Sequence, residues 1–135
     1  LAKPMAFMNR SGPPVLLVLD KFGLKLEDML VIHDDIDLDF GRIKIKEKGG
    51  HGGHRGIKSL MNALGSGNFK RLRMGIGRPE SDTGVIDHVL GRFTSDETEK
   101  LARFIETGRE AAVTVLCKGT KEGMNTFNRR TQNLT

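Results

Sequence analysis

The chain has 135 residues, 37% hydrophobic and 29% charged, with a formal net charge of +5; this is one domain's worth of material, with apolar content for a single core. Its longest apolar run, Val15 to Leu19, is far too short to cross a bilayer as a helix, and a single cysteine excludes a disulfide framework. The positive balance favours anionic partners such as nucleic acid, while the absence of Trp and Tyr argues against a wide aromatic platform for stacking bases.

In chain order, residues 4 to 9 read as a short buried strand ending on the amide of Asn9. Ser11 then caps a helix with Pro13 and Pro14 in its first turn, an apolar face of Val15, Leu16, Leu19 and Phe22, and Gly23 as its stop. Met29 to His33 is a continuous apolar run, the pattern of a strand covered on both faces. It empties into Asp34, Asp35, Asp37 and Asp39, four carboxylates in six residues. In an open α/β sheet the carboxyl ends of strands line the ligand crevice, although four carboxylates cannot all serve one site.

Gly41 to Lys46 alternates, predicting a strand with one buried face and Arg42, Lys44 and Lys46 on the other. That basic row leads into Lys48 to Gly56, which has five glycines in nine residues. A chain gives up that much backbone entropy where it must take positive φ or let another molecule come close. His51, His54 and Arg55 stand among the glycines and offer ring donors, ring acceptors and a guanidinium fork, a set suited to an ester or a phosphate. The periodicity of Ile57, Leu60, Met61 and Leu64 predicts a helix over 56–64, closed by Gly65. Metal chelation by His51 and His54 with Asp34 or Asp37 is the weaker alternative, because a glycine loop preorganises ligands poorly.

Asn68 to Ile76 alternates again, with Arg71 and Arg73 on one face and Leu72, Met74 and Ile76 on the other. Residues 78 to 93 read as a connection or lid with His88 exposed. Thr94 to Glu97 form a capping box that opens the longest helix, with Leu101, Phe104, Ile105, Ala112, Val115 and Leu116 on its core side and Cys117 as a small core residue. Gly119 ends that helix. A short helix around Glu122 to Phe127 and a polar tail complete the chain.

Four ordered segments together resemble bacterial peptidyl-tRNA hydrolase: Lys3-Pro4 with Phe7 to Gly12, His33 to Leu38, Gly49 to His54, and Phe69 with Arg71 to Gly77. The resemblance runs from residue 3 to about residue 128. It implies an α/β fold, a single-domain three-layer sandwich with a mixed central sheet flanked by helices. It also implies hydrolysis of the ester joining a peptide to the terminal ribose of tRNA, with no metal or cofactor, in a cytoplasmic monomer that engages no membrane. On the matching positions, the catalytic residues are Asp34, which orients a histidine base, Asn9, which steadies the ester carbonyl or the water, and His54, beside the scissile region. Phe7 and Asn9 contact the substrate's 3′ end, Met8 forms a wall of the substrate pocket, and Lys46 and Arg73 grip tRNA phosphates.

Two departures accompany the match. Arg55 stands where the family has Asn, so an acceptor is exchanged for a cation, and Arg55 is expected to bind substrate by attracting phosphate. The family's opening strand, with the catalytic histidine, has no counterpart among His33, His51, His54 and His88. The expectation is therefore one hydrolase-like domain over 1–135 that is N-terminally incomplete, its base supplied by a preceding segment. A non-catalytic RNA-binding relative, akin to organellar splicing factors, and a metal-dependent hydrolase using Asp34, Asp37, His51 and His54 are the competing functions.

Overall fold

The computed structural model describes residues 1–78 and 95–128. The expected lid beyond Arg78, His88, Thr94 of the expected capping box and the polar tail lie outside the described residues. The chain is α/β, with a mixed three-stranded sheet in the order β1-β3-β2 and helices before, between and after the strands. It divides into two compact units, Leu1–Met29 with Glu47–Lys70 and Leu30–Lys46 with Arg71–Thr135.

The first unit pairs α1, Gly12–Phe22, with α2, Arg55–Leu64. Prolines occupy the opening turn of α1, where a missing N–H costs no intrahelical bond. Its amino end docks on α2 through Gly12, whose N–H donates to Ser59 Oγ at 2.9 Å. A Cβ at Gly12 would lie 2.2 Å from the Ser59 carbonyl oxygen and 2.7 Å from Ala63 Cβ, so only glycine lets the backbones come this close. Leu19, Ile57, Leu60 and Phe69 are the buried apolar side chains here. The apolar face of α1 is narrower than its spacing suggests, since Phe22 is 65% exposed.

Residues 4 to 9 do not form the expected buried strand. They are exposed, and Met8–Arg10 make one turn of 3-10 helix. Local bonds take the place of a ladder: the Arg10 N–H donates to the Phe7 carbonyl at 2.8 Å, and the Ser11 hydroxyl donates to the Met8 carbonyl at 2.8 Å. Ser11 thus ties back to the preceding turn and makes no side-chain cap of α1.

In the second unit, alternation governs the sheet as the sequence predicts. Strands β2, Ile43–Lys46, and β3, Lys70–Gly75, pair antiparallel, with Ile43 opposite Met74, Lys44 opposite Arg73, Ile45 opposite Leu72 and Lys46 opposite Arg71. The period of two therefore gives one apolar face and one face carrying four cations. The apolar face packs with α3, Ser95–Lys118, and α4, Thr120–Phe127, around Ile43, Ile45, Leu72, Phe104, Ala111, Val115 and Phe127. Phe40 meets Phe104 edge to face at 5.6 Å, a geometry favoured by the ring quadrupoles.

Three expectations fail on α3. Ile105 is 56% and Leu116 68% exposed, and Cys117 is exposed rather than in the core. At 3.6 residues per turn, Ile105 and Leu116 sit roughly a quarter turn from the stripe formed by Phe104, Gly108, Ala111 and Val115, and Cys117 lies on the far side. Strand β1, Leu30–Asp35, is not fully covered either, since Ile32 is 48% exposed. It lies at one end of the strand order, with a single neighbour among the described residues.

The amide of Asn128, after α4, acts as a surrogate strand. Its oxygen accepts from the Ile45 N–H at 2.6 Å and its nitrogen donates to the Ile45 carbonyl at 3.0 Å. The free edge of β2 is thereby satisfied at the residue where the ladder would otherwise be open.

Candidate functional site

The glycine-rich loop is a tight turn. Gly52 and Gly53 have φ of 56° and 84°, and the His54 N–H donates to the His51 carbonyl at 2.9 Å. Two successive residues in the left-handed region make the type I′ pattern, which side chains with a Cβ resist. Each loop histidine turns Nδ1 onto backbone: His51 Nδ1 accepts from the Gly53 N–H at 2.9 Å, and His54 Nδ1 accepts from the Ile57 N–H at 3.2 Å. His54 is thus the N-cap of α2, a place more often held by Ser, Thr, Asp or Asn. An accepting Nδ1 assigns the ring proton to Nε2 in both neutral rings, so each histidine is a donor at its outer nitrogen.

Gly56 brings the turn at Met8 to this point. A Cβ there would meet Met8 Sδ at 2.6 Å and His54 Cε1 at 2.9 Å. Asn9 and Arg55 line one groove of about 580 Å³. The first unit therefore gathers Met8, Asn9, His54 and Arg55, with Phe7 alongside in sequence and 79% exposed.

In the second unit, Asp34 lies half-buried near the end of β1, and its backbone carbonyl accepts from His33 Nδ1 at 2.8 Å. Asp35 is already engaged: its Oδ2 accepts from Arg73 Nε at 2.6 Å, and its Oδ1 accepts from the Asp37 N–H at 2.8 Å. Asp37 in turn pairs with Arg78. Of the acidic run, then, Asp35 and Asp37 are structural anchors for arginines.

Lys46 and Arg73 occupy one face of the β2–β3 pair as diagonal neighbours, with Arg71 and Lys44 completing a grid of four cations. Arg73 is bonded to Asp35 and its side chain is 18% exposed, so it enters any phosphate contact with its orientation already set. Arg71 is buried, not on an open basic face as its alternation suggests, and burial followed by the charge of Arg73 lowers its guanidinium from the ordinary value. Like charges directly across a ladder repel, and the sheet places Lys44 against Arg73 and Lys46 against Arg71.

Among the described residues no group of three or more His, Cys, Asp and Glu is arranged to hold a metal ion. Among them also, no helix is long and apolar enough to cross a membrane. The cap made by His54 and the strand-like amide of Asn128 escape sequence reasoning. For His54 the only available signal is its position immediately before the helical period.

A sequence model of the peptidyl-tRNA hydrolase family matches residues 1–134. Peptidyl-tRNA hydrolase of Syntrophotalea carbinolica is 46% identical over 127 residues, which cover 94% of this chain and 66% of that protein. Its counterpart in Halalkalibacterium halodurans is 45% identical, over 95% of this chain and 69% of that one. Among solved structures, peptidyl-tRNA hydrolase of Acinetobacter baumannii superposes with a TM-score of 0.84 at 34% identity, covering 95% of this chain and 65% of that chain. The chain thus spans about two thirds of the length of the relatives it matches. On the family model's match across nearly every residue, this chain belongs to the peptidyl-tRNA hydrolase family.

Proposed function

We propose that the protein hydrolyses the ester between peptide and tRNA, recycling tRNA during translation. The observation that carries this proposal is the family match over residues 1–134, supported by relatives named peptidyl-tRNA hydrolase at 45% and 46% identity. The same relatives speak against the alternative of a non-catalytic RNA-binding protein.

In this scheme Asn9 steadies the ester carbonyl or the attacking water through its amide. His54 adds an Nε2–H donor where negative charge develops on the carbonyl oxygen, the kind of fixed donor that stabilises an oxyanion. Neither loop histidine is free to act as a base through Nδ1, since both accept backbone N–H groups there. His33 spends its Nδ1–H on the Asp34 carbonyl, and its Nε2 is buried. In this scheme the general base is a histidine other than these three, oriented by the Asp34 carboxylate. Phe7 holds the 3′ end of the substrate with Asn9, Met8 walls the pocket, Arg55 binds substrate by attracting phosphate, and Lys46 and Arg73 grip tRNA phosphates. The working protein is a cytoplasmic monomer that needs no metal.

Asp34→Asn in the intact protein tests the scheme. It removes the charge that stabilises the protonated base, so turnover should fall by about 10²- to 10⁴-fold while affinity for the RNA is retained. Equal turnover in the variant would remove Asp34 from the mechanism.

A further inference from the structure

Two of the six methionines are exposed, Met5 at 93% and Met8 at 58%. Met5 touches little, whereas Met8 combines access to solvent with a close fit inside the first unit. A Cβ on Gly56 would lie 2.6 Å from Met8 Sδ, 2.9 Å from His54 Cε1 and 3.2 Å from His54 Nδ1, so thioether and imidazole share the space over that glycine. The Ser11 hydroxyl lies 3.9 Å from the same sulfur. The 3-10 turn Met8–Arg10, which carries Asn9, therefore docks on the start of α2 through a thioether, an apolar group that fills irregular gaps. A turn of three residues with no side-chain cap has little stability of its own and keeps its place by that docking.

We propose that Met8 is a reversible oxidation site: hydrogen peroxide converts its thioether to the sulfoxide, and the sulfoxide undocks the turn that carries Asn9 from α2. The sulfur lone pair attacks the peroxide, the O–O bond breaks, an S–O bond forms and the second oxygen leaves as water with both protons. Sulfur loses two electrons and the peroxide gains them. The new oxygen is a strong acceptor with no donor to meet it in the docked position. His54 Nδ1 is itself an acceptor, filled by the Ile57 N–H. The Ser11 hydroxyl already donates to the Met8 carbonyl at 2.8 Å, so turning it to the sulfoxide would take a bond from the turn. Rotation of the side chain into water satisfies the oxygen and withdraws the pin. The sulfoxide then stands in solvent, where methionine sulfoxide reductases, one for each epimer, can restore the thioether.

The test treats the intact protein with millimolar hydrogen peroxide and follows Met5 and Met8 separately by fragment-ion mass spectrometry of the tryptic peptide ending at Arg10. Amide hydrogen exchange at Arg10 and Ser11, whose N–H groups close the turn, should quicken by about tenfold as Met8 sulfoxide forms. Reductases of both specificities with a thiol reductant should reverse the change, and the thiol reductant alone should not, which separates Met8 from the exposed Cys117. Peptide release should fall by about tenfold on the same time course, because Asn9 is misplaced; this arm rests on the proposed function. Met8→Leu keeps the bulk without the sulfur, so its exchange, and the release it starts with, should each hold to within about twofold through the treatment. Met5→Leu should respond as the wild type does. A Met8 that resists peroxide, a Met8 sulfoxide with unchanged exchange, or a Met8→Leu protein that responds as strongly as the wild type overturns the proposal. Reversible, Met8-dependent exchange in a protein that never releases peptide would instead sink the catalytic proposal and leave the oxidation site standing.

Discussion

Arg73 Nε lies 2.6 Å from Asp35 Oδ2, with the two side chains only 18% and 13% exposed. The pair ties β3 to the end of β1 beside Asp34, and it brings a carboxylate to the cationic grid of Lys44, Lys46, Arg71 and Arg73. Asp35→Ala leaves an arginine desolvated among like charges and should cost about 2 kcal/mol, as expected for a charged hydrogen bond lost at a largely buried site. Urea denaturation of the intact protein checks this. A loss under about 0.5 kcal/mol would mean that the pair behaves as an exposed one.

Gly12 sets the separation of α1 and α2. Gly12→Ala must move a Cβ that would sit 2.2 Å from the Ser59 carbonyl, so we expect a loss of about 1–3 kcal/mol from overpacking. A thermal melt alongside the wild type measures it, and an unchanged midpoint would show that the two helices part without cost.

His54 combines two roles that substitution can separate. His54→Asn keeps an N-cap acceptor, so stability should hold to within about 0.5 kcal/mol, whereas His54→Ala should lose about 1 kcal/mol. Both variants lack the Nε2–H, and both should lose turnover by about 10²-fold if that donor faces the developing oxyanion. Full activity in His54→Asn would reduce the residue to a cap.

Asn128→Asp replaces a donor with a second acceptor opposite the Ile45 carbonyl and should destabilise by about 1–3 kcal/mol. Chemical denaturation near neutral pH reads this directly. Wild-type stability in the variant would mean that the β2 edge does not depend on the amide.

Local periodicity carried the sequence reading where one element decides its own burial. The alternation of Ile43 and Ile45, and of Leu72 and Met74, matches the observed register, and the spacing of Ile57 and Leu60 matches α2. It failed where burial depends on partners distant in the chain. Arg71 looks like any basic residue on an exposed strand face, and only the fold shows it buried. On α3 the apolar residues spread beyond the stripe the sheet can cover, so hydrophobicity alone could not separate Phe104 from Ile105. The run from Pro4 to Asn9 has strand-like residues, yet hydrogen bonds to its own carbonyls close it into a turn. The chemistry of the site was legible as residue types, but the tautomers of His51 and His54 needed the positions of the Gly53 and Ile57 N–H groups.

The most direct measurement is release of labelled peptide from a model peptidyl-tRNA by the intact protein, with a metal chelator present. The account predicts multiple turnovers that the chelator leaves unaffected. Absence of peptide release, or release abolished by the chelator and restored by added metal, would contradict it.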